Sequence, residues 1–108
     1  MDEKELLDRG FVEYKKSPIH SECIDHVYQK CYRGPNGEKR YFIDVNHWNF
    51  HHPYTHEDWS SYEITTQLYL KGTHNAVNLT FISGDLDEAE NLIEKLFENE
   101  LVEDYEYE

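Results

Sequence analysis

The sequence predicts an α+β domain: a four-stranded antiparallel β-meander with a C-terminal α-helix packed on one face and a short N-terminal helix. Three observations carry this. Apolar residues alternate with a period of two along two pairs of segments, Gly- and Asn-rich turns separate the members of each pair, and after Gly84 the apolar period lengthens to that of a helix. At 108 residues the chain fits one domain, 1–108, with enough buried surface for a single core.

The N-terminal helix is expected over Asp2–Arg9, with acids near its start and Gly10 placed to close it in a left-handed conformation. Phe11, Val12 and Tyr14 follow as a small apolar stretch, and Lys15-Lys16-Ser17-Pro18 reads as a turn or extended connection. In Arg33-Gly34-Pro35-Asn36-Gly37-Glu38, Pro35 and Asn36 suit the centre of a type I turn and Gly37 suits the left-handed residue after it. That turn implies a register pairing Val27 with Val45, Gln29 with Ile43 and Cys31 with Tyr41 on the apolar face, leaving Tyr28, Lys30 and Tyr32 on the other.

A second hairpin is expected from Tyr62–Leu70 and Ala76–Ile82, joined by Lys71–Asn75, with Ile64, Leu68 and Leu70 sharing a face with Val77, Leu79 and Phe81. Asp85 and Glu88 have the spacing of a capping box. Leu86, Ala89, Leu92, Ile93, Leu96 and Phe97 then recur at helical spacing, opposite an outer row of Asp87, Glu90, Glu94 and Glu98. Residues 100–108 are either a docked extension or a frayed acidic tail.

Charge is divided unevenly. Of the net −13, residues 85–108 carry eleven acids against Lys95 alone, a net of −10. A field of one sign repels nucleic acid and membrane surfaces and attracts basic protein surfaces. No apolar window is long enough for a membrane span, and the charged N-terminus is unlike a signal peptide. Cys23 and Cys31 would lie about 26 Å apart on one extended segment, too far for a disulfide. A reducing, cytoplasmic setting is the expectation.

Residues 46–59 hold four of the seven histidines and both tryptophans. His47, His51, His52 and His56, with Glu57 or Asp58, offer donors to a divalent metal, but Pro53 interrupts helical spacing and there is no HExxH. Clustered histidines of this kind are more often polar loop residues. Trp48, Phe50, Tyr54 and Trp59 are either a plug beneath the sheet or anchors for a protein partner. Residues 41–70 contain no Lys or Arg, which disfavours direct binding of DNA or RNA. Cys23 has His20 and His26 three residues to either side, yet both cysteines read more simply as small buried hydrophobes. With no Walker-type loop and no GxGxxG, no cofactor is expected.

Gly10-Phe11 with Tyr14-Lys15-Lys16-Ser17, the segment Tyr28-Gln29-Lys30 to Gly37, and Lys39-Arg40-Tyr41-Phe42-Ile43-Asp44-Val45 resemble small uncharacterised acidic proteins encoded in phage and prophage genomes. The resemblance covers about the first half of the chain and carries over no functional residue. It implies a virus-derived accessory protein acting in the host cytoplasm, in a group that includes acidic inhibitors of host enzymes and defence systems.

The functional expectation is therefore a non-enzymatic module, with DNA mimicry as one form. It would engage a basic, nucleic-acid-binding protein surface through Glu90, Glu94, Glu98, Glu100, Glu103 and Asp104, anchored by the aromatics of residues 48–59. A metal-binding protein or metal-dependent enzyme built on His47, His51, His52 and His56 is the rival. A homo-oligomer burying Tyr28, Tyr32 and Phe42 against a copy is the third reading.

Overall fold

The computed structural model describes residues 1–14, 24–34, 36–73, 75–81 and 85–103. Helix α1 (Glu3–Asp8) is capped by Asp2, whose side chain accepts the backbone N–H of Glu5 at 2.8 Å. Gly10 leaves it at φ +93°, a conformation only glycine adopts without strain. Strand β1 (Val12–Tyr14) follows, then β2 (Ile24–Arg33), β3 (Lys39–His51), β4 (Asp58–Leu70), β5 (Ala76–Phe81), helix α2 (Leu86–Glu98) and β6 (Val102–Glu103).

The architecture is α+β and antiparallel, as expected, but the sheet is larger than four strands. Its order is β1-β2-β3-β4-β5, a meander, with β6 added beside β4. The Phe11–Tyr14 stretch is short, yet pairing of Val12 with Gln29 and of Glu13 with Tyr28 makes it the first strand. At the other end Val102 pairs with Leu70 and is buried in the core. Leu101–Glu103 are thus a docked extension, while Asp104 and residues 105–108 lie outside the described residues, as do the 15–18 connection, His20, Cys23, Pro35 and Ile82.

The predicted turn is present in outline: the Gly37 N–H donates to the Gly34 carbonyl at 3.0 Å, and Gly37 is left-handed at φ +79°. Arg33 faces Lys39, as that turn requires. One step further in, Tyr32 faces Tyr41 rather than Arg40. A β-bulge makes Arg40 the extra residue, so the β2 side chains from Tyr32 back to His26 change face relative to the expected register, which a second bulge restores at Ile24 opposite Trp48. Tyr28, Lys30 and Tyr32 lie on the core side with Tyr41, Ile43 and Val45, and half-buried Cys31 turns to the other face beside Phe42.

The reversal has an energetic basis. Tyr28 and Tyr41 are almost fully buried, Tyr32 stacks on Tyr41, and the hydroxyls of Tyr32 and Tyr41 reach carboxylates on α2. The Tyr28 and Tyr32 rings bury far more apolar surface on this face than Gln29 and Cys31 would. The bulge also sends Arg40 over the Phe97 ring, 4.0 Å from its centroid, within 3.2 Å of Glu94.

Both helices cover this one face. Leu6 and Phe11 from the N-terminal end join Tyr28, Tyr41, Ile43, Val45, Ile64 and Leu68, with Leu86, Ala89 and Ile93 from α2. Thr66 is buried among them and donates its hydroxyl to the Phe42 carbonyl at 2.6 Å. Asp85 caps α2 by accepting the Glu88 N–H at 3.1 Å, as the sequence predicts. The β4–β5 pairing is also as expected, with Ile64 opposite Phe81 and Leu68 opposite Val77. The opposite sheet face carries Gln29, Asp44, Asn46 and Glu63, joined by hydrogen bonds from Gln29 to Asp44 at 2.9 Å and from Asn46 to Glu63 at 3.3 Å.

Candidate interaction surface

The segment expected to be a connecting loop, or a plug beneath the sheet, is a hairpin arm. Pairing of β2 with β3 ends at Ile24 and Trp48, and pairing of β4 with β5 begins only at Ile64. Between those limits β3 and β4 continue as a ladder through Asn49 with Ser60, Phe50 with Trp59 and His51 with Asp58. The alternation of Trp48, Phe50 and Trp59 with Asn49, His51 and Ser60 supplies the period of two, and six residues, 52–57, close the end.

That closure is built by a histidine. The His52 Nδ1 accepts the backbone N–H groups of Tyr54 and Thr55 at 3.2 and 3.1 Å, while the His52 N–H donates to the Glu57 carbonyl at 2.9 Å. The His56 N–H returns to the His52 carbonyl at 3.0 Å, with His56 in the left-handed region at φ +59°. His52 is therefore an internal strut, not a ligand held out to solvent.

The pleat divides the arm into two chemically distinct faces. One carries Trp48, Phe50 and Trp59; Phe50 is 39% exposed, Trp59 54%, and Tyr54 at the tip 87%. Trp48 is half-buried, and its indole N–H has no hydrogen-bond partner among the described residues. These four aromatics are the predicted anchors, and three are open to a partner.

The other face carries imidazoles, each with its Nδ1 on a carboxylate. His26 meets Glu13 at 2.6 Å, His47 meets Asp25 at 2.5 Å and His51 meets Asp58 at 2.6 Å. A bulge between Ile24 and His26 brings Asp25 to His47. His26 and His47 are opposed, with centroids 6.1 Å apart, and His47 packs on Tyr62 at 4.7 Å. The hydrogen bond that the His26 ring donates to Glu13 raises the pKa of His26. Burial alone would push Asp25 up, but the His47 hydrogen bond and the charges of His47 and His26 outweigh it and leave that carboxyl lowered.

Of the histidines expected to gather around a metal, only His51 and His56 meet, with His51 Nε2 3.4 Å from His56 Nδ1. His47 is engaged with Asp25 further along the arm. Sequence reasoning missed Glu13 because no strand was expected at residues 12–14, and missed the pairing of His26 with His47 because the turn-derived register set His26 opposite Asn46. The adjacency Asp25-His26 within an apolar strand was the available signal.

The acidic row on α2 is not the free outer face that its spacing suggested. The Tyr32 hydroxyl donates to Glu90 at 2.7 Å and the Tyr41 hydroxyl donates to Glu94 at 3.1 Å. Arg9 bridges Asp87 at 3.0 Å and approaches Glu90 at 3.9 Å, while Arg40 meets Glu94. At about 100° per residue, Glu90 lies only about 40° from Leu86 and about 60° from Ile93 around the helix axis, so it flanks the core. Leu92 falls on the opposite flank and is 44% exposed, a correction to its predicted inner position. Glu98 and Glu100 are exposed, and Glu103 lies 4.0 Å from Lys71.

The homo-oligomer face is corrected in the same way, since Tyr28 and Tyr32 lie beneath the helices while Phe42 lies on the other side of the sheet. Among the described residues no helix is long and apolar enough to cross a membrane. In comparison with known proteins, no family model matches the chain, and neither a curated protein nor a solved structure matches it significantly.

Proposed function

We propose that the protein is a non-enzymatic binding module that engages a basic protein surface through the β3–β4 arm, in the manner of an acidic inhibitor of a nucleic-acid-binding protein. The observation that carries this reading is the exposure of Phe50, Tyr54 and Trp59 on a protruding hairpin. Residues 41–70 hold Asp44, Glu57, Asp58 and Glu63 and no Lys or Arg. Aromatics supply affinity when a partner desolvates them, and a single-sign field speeds encounter and rejects nucleic acid.

Because Glu90 and Glu94 are held by Arg9, Arg40 and two tyrosines, their role in this reading is to position α2 and add to the long-range field. Glu98, Glu100 and Glu103 steer, while the arm makes the contact. A phage-encoded accessory role for the chain suits the same reading.

Affinity chromatography on the immobilised chain beside a W59A/Y54A column tests it, with binding of each retained protein followed as salt rises. Basic proteins held by the wild-type column, lost from the variant and released by salt are expected. Equal retention by both columns, or binding indifferent to salt, would overturn the proposal.

A further inference from the structure

The tip of the arm carries a second chemistry, on the face away from Trp59 and Phe50. His51 ends β3, Asp58 begins β4 directly opposite it, and His56 lies in the closing turn between them. From these residues we infer a binding site for one divalent ion of the zinc, nickel and copper class, held by His51 Nε2 and His56 Nδ1 and oriented by Asp58. The inference is independent of the protein partner proposed above, since it uses neither the aromatic face nor the acidic helix.

Three features of the geometry support it. The two ring nitrogens are 3.4 Å apart, and two imidazoles bound to zinc at 2.0–2.1 Å with a tetrahedral angle between them would stand about 3.4 Å apart. The pair already has the separation of one edge of a coordination tetrahedron.

Asp58 settles which nitrogen of His51 is offered. Its Oδ1 lies 2.6 Å from His51 Nδ1, so that nitrogen donates its proton to the carboxylate and Nε2 keeps its lone pair facing His56. A carboxylate behind a ligating imidazole fixes the tautomer and raises ligand basicity. For His56 to ligate, its neutral ring carries its proton on Nε2, which frees the Nδ1 lone pair without net loss of a proton.

The turn fixes the second ligand. His56 is held at φ +59° while its N–H is bonded to the His52 carbonyl, and in that conformation its ring centroid lies 5.6 Å from that of His51. A β-branched or bulky residue would seldom adopt this backbone, and histidine is among the residues enriched there. Among the described residues no three His, Cys, Asp or Glu side chains converge on one point. The pair is therefore half of a tetrahedral shell, and water completes it. Two nitrogen donors select late first-row metals over magnesium or calcium, which take oxygen.

The test is calorimetric titration of Zn²⁺ into the tag-free full-length chain at neutral pH, with the imidazole resonances followed by NMR. One ion per chain is expected, with shifts confined to His51 and His56, and Mg²⁺ should give no response. H51A and H56A should each abolish uptake, D58N should weaken it about tenfold or more through the lost orienting bond, and H26A and H47A should leave it unchanged. Retention of binding in an H51A/H56A chain that keeps the wild-type circular dichroism would overturn the inference. So would absence of zinc uptake by the wild type, or equal response to Mg²⁺.

Discussion

Tyr32 and Tyr41 stack with ring centroids 4.7 Å apart and planes within 7° of parallel, and each donates its hydroxyl to a different carboxylate of α2, Glu90 and Glu94. The stack exists because the bulge at Arg40 sets the two tyrosines opposite each other across β2 and β3. It fastens the acidic helix to the sheet at two points one turn apart. The negative charge of α2 is thereby part of the fold's polar bonding and not only a field directed at solvent.

The link between Tyr41 and Glu94 should be measurable. Tyr41→Phe keeps the buried ring and loses one hydrogen bond, so it should cost about 1 kcal/mol. Tyr41→Ala leaves a cavity beneath α2 and should cost about 3–5 kcal/mol. In a chain already carrying Glu94→Gln, the cost of Tyr41→Phe should shrink. Urea denaturation of the four chains of that cycle gives the coupling directly, and full additivity would mean that the hydroxyl contributes nothing through Glu94.

Alkaline pH should unfold the domain through the same residues. Burial pushes Tyr28 up to about 12, and burial together with the neighbouring carboxylates raises Tyr32 and Tyr41 further. An unfolded tyrosine titrates near 10, so the folded state retains protons that the unfolded state releases. Stability is complete below pH ~10 and lost above it, by about 1.4 kcal/mol per pH unit for each tyrosine that stays protonated only when folded. Far-ultraviolet circular dichroism between pH 8 and 12 should show a cooperative loss, shallower for Tyr32→Phe. A midpoint unaffected by that substitution would count against the tyrosine mechanism.

Much of the frame is legible in the residues themselves. Gly10, Asp85 with Glu88, and the alternation through Ile64, Leu68, Val77 and Leu79 each declare a local geometry that has few alternatives. Arg40 could not be read this way. A bulge costs little locally and is chosen by the gain across the sheet, here the Tyr32–Tyr41 stack and the seat of Arg40 on Phe97, which no single segment displays. The same limit hid the arm. Nothing local to residues 48–59 distinguishes a loop from two strands running past the end of their neighbours, although the alternation of Trp48, Phe50 and Trp59 is consistent with a pleat. Helical spacing sets Glu90 and Glu94 on the outer row, while the tyrosines and arginines that hold them are distant in sequence.

Substitutions on the arm should separate stability from binding. Trp59→Ala and Tyr54→Ala remove exposed rings and should change unfolding free energy by no more than about 0.5 kcal/mol. Ile64→Ala, at a fully buried position on the same strand as Trp59, should cost about 2–5 kcal/mol. Thermal melts of the three variants check this. A Trp59→Ala chain destabilised as much as Ile64→Ala would show that the indole belongs to the core.

The pair formed by Glu13 and His26 should be a detectable stabilising contact of opposite pH sense to Asp25. The hydrogen bond that the His26 ring donates to Glu13 is the main reason the His26 pKa is raised, offset in part by desolvation. A raised imidazole pKa contributes stability below the unfolded value of about 6.5 and loses it as pH climbs through the folded one. Asp25, lowered by His47, contributes above its unfolded value and loses that contribution as pH falls. In a Glu13→Gln chain the NMR titration of the His26 ring should move to lower pH. The thermal midpoint of that variant should trail the wild type more at pH 5.5 than at pH 8. The difference should be small, since both side chains are near half-exposed and salt screens such pairs. Because β1 meets β2 through Glu13 opposite Tyr28, amide exchange in Val12–Tyr14 should quicken in the same variant at the lower pH, and unchanged exchange there would show that the ion pair does not hold the edge strand.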